Sequence, residues 1–278
     1  MTITARIIDG KRHADIIKSA LKDQIQAENL TPSLHVILIG DDPASKIYVK
    51  HKKQACEKIG IDGHIHNLSV DTTQSDVTNL IQTLNEDMDV SGILIQLPLP
   101  DHLNTHEILN TIDPAKDVDG LTVTNVGKLV SGVPHLVPCT PQGVMELLKF
   151  ECKDLSGKNA VLIGRSLLFG KPMAHLLMME NCTVTQCHSK TENIADICAR
   201  GDILISAVGQ SKMVKEHWVK DGAIVIDVGI SRDSDGKISG DVDFDTVKNK
   251  AAAITPVPGG VGPMTVACLL RNTVKASL

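Results

Sequence analysis

The sequence predicts an α/β protein in two lobes, and three observations carry that prediction. Short, continuous apolar runs recur along the chain. Amphipathic segments with helical spacing lie between them. One stretch rich in Pro and Gly divides the pattern in two. Runs that are apolar at every position belong to strands covered on both faces, as in a parallel sheet flanked by helices.

Taken in order, Ala14, Ile17, Leu21 and Ile25 fall on one helical face, followed by the strand Leu34–Gly40 (LHVILIG). Asp42-Pro43 then opens a helix reading ASKIYVKHKKQ, with an acceptor side chain at the cap and Pro in the first turn. Val77, Leu80, Ile81 and Leu84 form the next helical stripe, and Gly92–Leu97 (GILIQL) the next strand. Residues 113–141, with four prolines and three glycines and little periodicity, read as the segment between the lobes. Beyond it come strands at 159–164, 183–187, 202–208 and 223–229, with a helical stripe at Ala174, Leu177 and Met178. A last helix is expected over 263–278, starting at Pro263.

The composition excludes several functions. With 278 residues and 42% apolar content the chain is long enough for one large domain or two. Aromatics are only 2% and the net charge is −5 without a basic block, which argues against nucleic-acid binding. Seven cysteines, an odd number with no C-x-x-C, argue for reduced thiols rather than disulfides or a zinc site, so no metal is expected. The N-terminus lacks the apolar stretch of a signal peptide. No apolar run reaches the roughly 18 residues that span a bilayer. The reading is a soluble, cytoplasmic protein with no membrane partner.

Chemistry-bearing segments follow from residue type and spacing. Gly164-Arg165-Ser166-Leu167-Leu168-Phe169-Gly170-Lys171-Pro172 joins a strand to a helix, the grammar of a dinucleotide-phosphate turn, although G-x-G-x-x-G is absent. A cation and a hydroxyl in that turn suit a phosphate. The next strand ends in His188-Ser189-Lys190-Thr191, where hydroxyls and a Lys replace the acidic residue of an NAD site, which favours NADP over NAD. Lys190 reads equally as a solvated loop charge. In the first lobe Tyr48, the only tyrosine, and Lys52 lie four apart on one helical face. They are either a solvated surface pair or a proton-handling pair at a cleft. Gln96 sits in an apolar strand and needs a hydrogen-bond partner, from a site or from core backbone. Lys116-Asp117-Val118-Asp119-Gly120 places two carboxylates in one turn. Backbone hydrogen bonding explains one of them and a ligand could take the other. Pro256–Pro263 (PVPGGVGP) lets backbone approach a ligand closely, or is a crossover loop. His64 and His66 share a strand face without a third ligand and read as structural or surface residues.

The ordered set of motifs resembles the bifunctional methylenetetrahydrofolate dehydrogenase/methenyltetrahydrofolate cyclohydrolase family over essentially the whole chain. It comprises Y48-x-x-x-K52, G-I-L-I-Q-L-P-L-P at 92–100, K-D-V-D-G at 116–120 and P-C-T-P at 138–141. It continues with G-R-S-x-x-x-G-x-P at 164–172, C-H-S-K-T at 187–191, D-V-G-I at 227–230, G-D-V-D-F at 240–244 and T-P-V-P-G-G-V-G-P-M-T at 255–265. The resemblance implies two lobes across a cleft: residues 1–120 holding the folate, with the helix 263–278 returning to them, and residues 121–278 forming a Rossmann-type, doubly wound parallel sheet for NADP. It implies NADP-dependent oxidation of 5,10-methylenetetrahydrofolate, then hydrolysis to 10-formyltetrahydrofolate, by a homodimer. Lys52, Tyr48, Gln96 and Asp119 would be catalytic. Lys52 would handle protons, Gln96 would hold Lys52, Tyr48 would orient the folate ring and Asp119 would grip the pterin. Leu97, Pro98 and Gly259 would line the folate, and Gly164, Arg165, Ser166, Ser189 and Ile230 would contact NADP. One departure stands out. Where many members carry F-H-P after D-V-D-G, this chain has Leu121-Thr122-Val123. The alternatives are a dehydrogenase without hydrolase activity, a non-catalytic dinucleotide-binding module, or an unrelated dehydrogenase on a similar frame.

Overall fold

The structure is a computed structural model and describes residues 4–232 and 236–278. The chain divides into two compact units. One comprises Asp15–Cys139 and Val266–Leu278; the other comprises the N-terminal segment through Ala14 and Thr140–Thr265.

In chain order the elements begin with β1 (Arg6–Ile7), α1 (Gly10–Ala27), β2 (Ser33–Ile39) and α2 (Pro43–Ile59). These are followed by β3 (Asp62–Leu68), α3 (Gln74–Glu86), β4 (Gly92–Ile95), α4 (Thr105–Thr111), α5 (Val123–Val130) and α6 (Cys139–Glu151). Then come β5 (Asn159–Ile163), α7 (Gly170–Met179), β6 (Thr183–Cys187), α8 (Ile194–Cys198), β7 (Ile203–Ser206) and β8 (Ile224–Asp227). The short pair β9 (Ser231–Arg232) and β10 (Ile238–Ser239), α9 (Phe244–Val247), β11 (Ala253–Ile254) and α10 (Val261–Ala276) complete the chain.

The first unit holds a three-stranded parallel sheet in the order β3-β2-β4. Its central strand explains the continuous apolar run. Leu34, Val36 and Leu38 pack into one core with Val49, Cys56, Ile59 and Leu270, while Ile37 and Ile39 pack into another with Val77, Ile81 and Ile108. Both faces of the sheet are buried, so both sides of the strand are apolar from Val36 to Ile39. The second unit holds a six-stranded parallel sheet, β1-β11-β8-β7-β5-β6, with β9 and β10 as a separate antiparallel pair. Strand β5 neighbours both β6 and β7, so the connections run outward in opposite directions from it. That reversal is the switch point of a doubly wound sheet, and ligands bind outside the carboxyl ends of the strands there.

All six expected strands are present, four of them one to three residues shorter than their sequence runs. Two expectations are corrected. The Pro/Gly-rich stretch 113–141 contains the helix α5, capped by Thr122 Oγ1 accepting from Asn125 N. Its Gly and β-branched residues give it low helical propensity, so the cap rather than composition marks it. The last helix begins at Val261, not Pro263. A proline fits there because the first turn's N–H groups have no intrahelical acceptor.

Candidate functional site

Within the first unit, α2 positions Tyr48 and Lys52. Asp42 caps this helix by accepting from Ser45 N at 2.7 Å, and Gly60 (φ 91°) ends it in the left-handed region. Its buried stripe is Ser45, Val49, Lys52, Cys56 and Ile59. Lys52 therefore occupies a core position, and only 8% of it is exposed. Its ammonium Nζ donates to Gln96 Oε1 at 3.0 Å and lies 5.3 Å from the centre of the Tyr48 ring. Gln96 directly follows β4, and its Nε2 donates to Leu97 O at 2.8 Å. The amide is thereby fixed with its oxygen toward the lysine. Pro98 follows through a cis peptide bond.

The two aspartates of the 116–120 turn have different surroundings. Buried Asp117 accepts from Leu121 N at 3.1 Å, Thr122 N at 2.8 Å and Asn125 Nδ2 at 2.9 Å. It is the residue that shapes the turn. Asp119 is partly exposed and lies near enough to Lys52 and Tyr48 for its charge to act on both. Burial pushes its carboxyl above the usual range, against the pull of Lys52. Burial likewise lowers the pKa of Lys52, with Asp119 opposing. Tyr48 is raised by burial and then by Asp119. The turn carrying Asp119 is tied from behind by Asn272 of α10, whose Nδ2 donates to Val118 O at 2.8 Å and Val137 O at 2.9 Å. Sequence reasoning missed Asn272. A lone amide in the apolar stripe of the last helix was its only signal.

Within the second unit, β5 leads into the turn at Gly164, whose φ of 126° favours glycine. A Cβ there would sit 2.7 Å from Ala207 O. Gly170 is equally constrained, since a Cβ would overlap the backbone of Gly164 and Arg165. Ser166 Oγ accepts from Phe169 N at 3.2 Å and Gly170 N at 3.4 Å, which shapes the start of α7. Among the described residues, the backbone N–H groups of Arg165 to Leu168 donate to nothing. With the exposed Arg165 and Ser166 side chains, they leave a donor-lined opening suited to phosphate. Ser189 and Lys190 are exposed just beyond β6, in a turn closed by His188 N donating to Thr191 Oγ1 at 2.9 Å. Ile230 is 62% exposed just past β8. Gly259 (φ 105°) accepts from Lys11 N at 3.1 Å through its carbonyl. So the structure gathers Tyr48, Lys52, Gln96, Leu97 and Asp119 in one unit. It places Gly164, Arg165, Ser166, Ser189, Ile230 and Gly259 in the other. Among the described residues no group of three or more His, Cys, Asp or Glu is arranged to hold a metal, and no helix is long and apolar enough to cross a membrane.

A doubly wound parallel sheet with an open phosphate turn, in a chain whose other unit buries a lysine against an amide and within the field of a carboxylate, has the make-up of a two-unit dinucleotide-dependent enzyme. Residues 8–119 match the family model for the catalytic domain of tetrahydrofolate dehydrogenase/cyclohydrolase, and residues 138–278 match that for its NAD(P)-binding domain. The bifunctional protein FolD of Acetivibrio thermocellus is 50% identical over 276 residues, 98% of this chain and 97% of its own length. The crystal structure of the bifunctional FolD dehydrogenase/cyclohydrolase of Campylobacter jejuni superposes with a TM-score of 0.96 at 47% identity, covering 98% of both chains. The Trypanosoma brucei enzyme, whose structure contains NADP and an inhibitor, superposes at 0.93 with 39% identity, covering 98% of this chain and 97% of that one. The chain belongs to the tetrahydrofolate dehydrogenase/cyclohydrolase family.

Proposed function

We propose that this chain oxidises 5,10-methylenetetrahydrofolate with NADP and hydrolyses the resulting 5,10-methenyl cation to 10-formyltetrahydrofolate, with Lys52 as the proton-handling residue of the second step. The observation that carries the reading is the buried lysine held by a fixed amide beside a carboxylate.

NADP supplies the hydride acceptor. Arg165, Ser166 and the open backbone around them would hold phosphate, Ser189 would take the 2′-phosphate side, and Ile230 would offer an apolar surface. Oxidation moves a hydride and no proton, so the folate-side residues orient the substrate and face its developing positive charge. Asp119 would grip the amino-pyrimidine edge of the pterin, Tyr48 would pack on its ring, and Leu97 and Pro98 would line it.

Hydrolysis adds water to the methenyl carbon and opens the five-membered ring at a nitrogen. The attacking water loses a proton and the departing nitrogen gains one. A lysine with a lowered pKa can take the first and deliver the second. A cationic folate would lower that pKa further by like-charge repulsion. Gln96 keeps the ammonium aimed. The family resemblance supports, in addition, a cytoplasmic homodimer, which sedimentation at micromolar concentration tests.

The deciding experiment follows absorbance at the methenyl-folate band after mixing the protein with methylenetetrahydrofolate and either NADP or NAD. Turnover with NADP without build-up of the methenyl compound is the expected result. Accumulation that decays only at the buffer rate would leave a dehydrogenase alone.

A further inference from the structure

Two buried carboxylates outside the site just described link the strand ends on one side of the six-stranded sheet. Asp241, fully buried, accepts from Ser206 Oγ at 2.9 Å and Val208 N at 2.7 Å on one oxygen, and from Gln210 N at 2.8 Å on the other. Asp227, at the end of β8, accepts from Gly229 N at 3.0 Å, Asp241 N at 2.9 Å and Val242 N at 2.9 Å. Its own N–H donates to Thr255 Oγ1 at 2.8 Å. The packing is reciprocal. A Cβ on Gly229 would overlap the Asp241 carboxylate, and a Cβ on Gly240 would overlap that of Asp227.

These bonds converge on the carboxyl ends of β7, β8 and β11. The phosphate turn after β5 and the loop after β6 lie on the other side of the switch point. A dinucleotide laid across such a sheet puts one half over each side. With the 2′-phosphate half over β6, the nicotinamide half faces the segments leaving β7 and β8, residues 207–210 and 228–230. Both segments owe their backbone course to the two carboxylates.

We propose that Asp241, backed by Asp227, is a positioning residue for the dehydrogenase: it fixes segments 207–210 and 228–230 as the platform for the nicotinamide half of NADP. The inference rests on the reading that this unit binds NADP. The effect is specific to one activity, because methenyl hydrolysis is assigned to residues of the other unit and needs no NADP.

The test uses the full-length Asp241→Asn protein. The new amide NH₂ cannot accept from whichever backbone N–H it faces, Val208 or Gln210, so the segment after β7 loses one of its anchors. Expected is at least a tenfold rise in KM for NADP, and a matching loss of affinity in an NADPH fluorescence titration, with methenyl hydrolysis by the same sample within twofold of wild type. Ser206→Ala is the second variant. It removes one donor and keeps the other two, and should raise KM for NADP two- to threefold. Unchanged NADP parameters in Asp241→Asn would overturn the proposal. So would equal loss of both activities in the two variants, which would make the network a general structural element. If Asp241→Asn does not fold, an unchanged Ser206→Ala overturns it instead. Failure of the wild-type protein to bind NADP at all would strike the functional reading itself.

Discussion

Asp117 and Asp119 stand two residues apart in one turn, and the first frees the second. Asp117 takes the backbone N–H groups of Leu121 and Thr122 and the Asn125 amide on its two oxygens. Asp119 takes none of those donors, and its charge acts on Lys52 and Tyr48. A turn that would otherwise use both aspartates for its own backbone presents one of them to the site.

The pH profile of hydrolysis follows from this arrangement. Burial lowers the pKa of Lys52, and Asp119 is the largest influence holding it up. In Asp119→Asn that support is gone, so the lysine gives up its proton at still lower pH. The limb of the kcat/KM profile that belongs to Lys52 should move toward acid, and KM for folate should rise. A limb that moved toward alkali would contradict the role given to Asp119.

Replacing Gln96 by Leu removes the acceptor of the Lys52 ammonium. Hydrogen bonds to charged groups contribute roughly 1.5–3 kcal/mol, so methenyl hydrolysis should fall about 10- to 100-fold. NADP affinity, set in the other unit, should not change. Steady-state hydrolysis together with an NADPH titration checks both.

The last helix supports the site through Asn272. Asn272→Ala leaves the carbonyl of Val137 without its amide donor and that of Val118 with only the weak Cys139 thiol, in a buried place. The cost should be about 2 kcal/mol or more, read as a lower urea midpoint. Because Val118 adjoins Asp119, folate KM should rise as well.

Acid stability depends on a histidine cluster on β2 and β3. His35 on β2 meets His66 on β3 through Nδ1···Nε2 at 2.9 Å, and its ring centre lies 4.4 Å from that of His64. Burial, helped by both neighbours and opposed by Asp87 and Asp62, pushes the His35 pKa down to about 4. The unfolded chain takes up that proton near pH 6.5, so this contribution is complete above 6.5 and is lost as the pH falls through 4. Asp227 has the opposite slope, since burial raises its pKa to about 6. It is the same in wild type and in a His35 variant and drops out of their difference. His35→Gln should therefore lose less thermal midpoint than wild type between pH 7 and 4.5. A steeper loss would refute the assignment.

Strands β2, β4, β5, β7 and β8 were legible because parallel strands buried on both faces leave little that is polar to confuse the pattern, while the half-exposed β3 showed only as the face shared by His64 and His66. Helix α2 was legible from Asp42-Pro43, but the position of Lys52 was open from residue type alone. Its place in the stripe Val49, Lys52, Cys56 and Ile59 shows that periodicity, rather than charge, indicated burial. The shortest strands escaped because two residues carry no period. Thus β1 and β11 pair with each other over Arg6–Ala253 and Ile7–Ile254, a long-range match that no local signal announces. The departure at Leu121-Thr122-Val123 finds a physical role here: Leu121 is buried and Thr122 caps α5. The motifs D-V-G-I and G-D-V-D-F were visible as strings. Their reciprocal packing, Asp227 on Gly240 and Asp241 on Gly229, exists only once the strands are folded side by side.

The central claim is that one chain carries two activities and that Lys52 serves the second. The most direct test compares wild type with Lys52→Met, following NADPH formation and methenyl-folate absorbance in the same cuvette. NADPH should still form in the variant, while methenyl-folate accumulates and decays only at the rate of buffer. Hydrolysis by Lys52→Met at the wild-type rate would contradict the account.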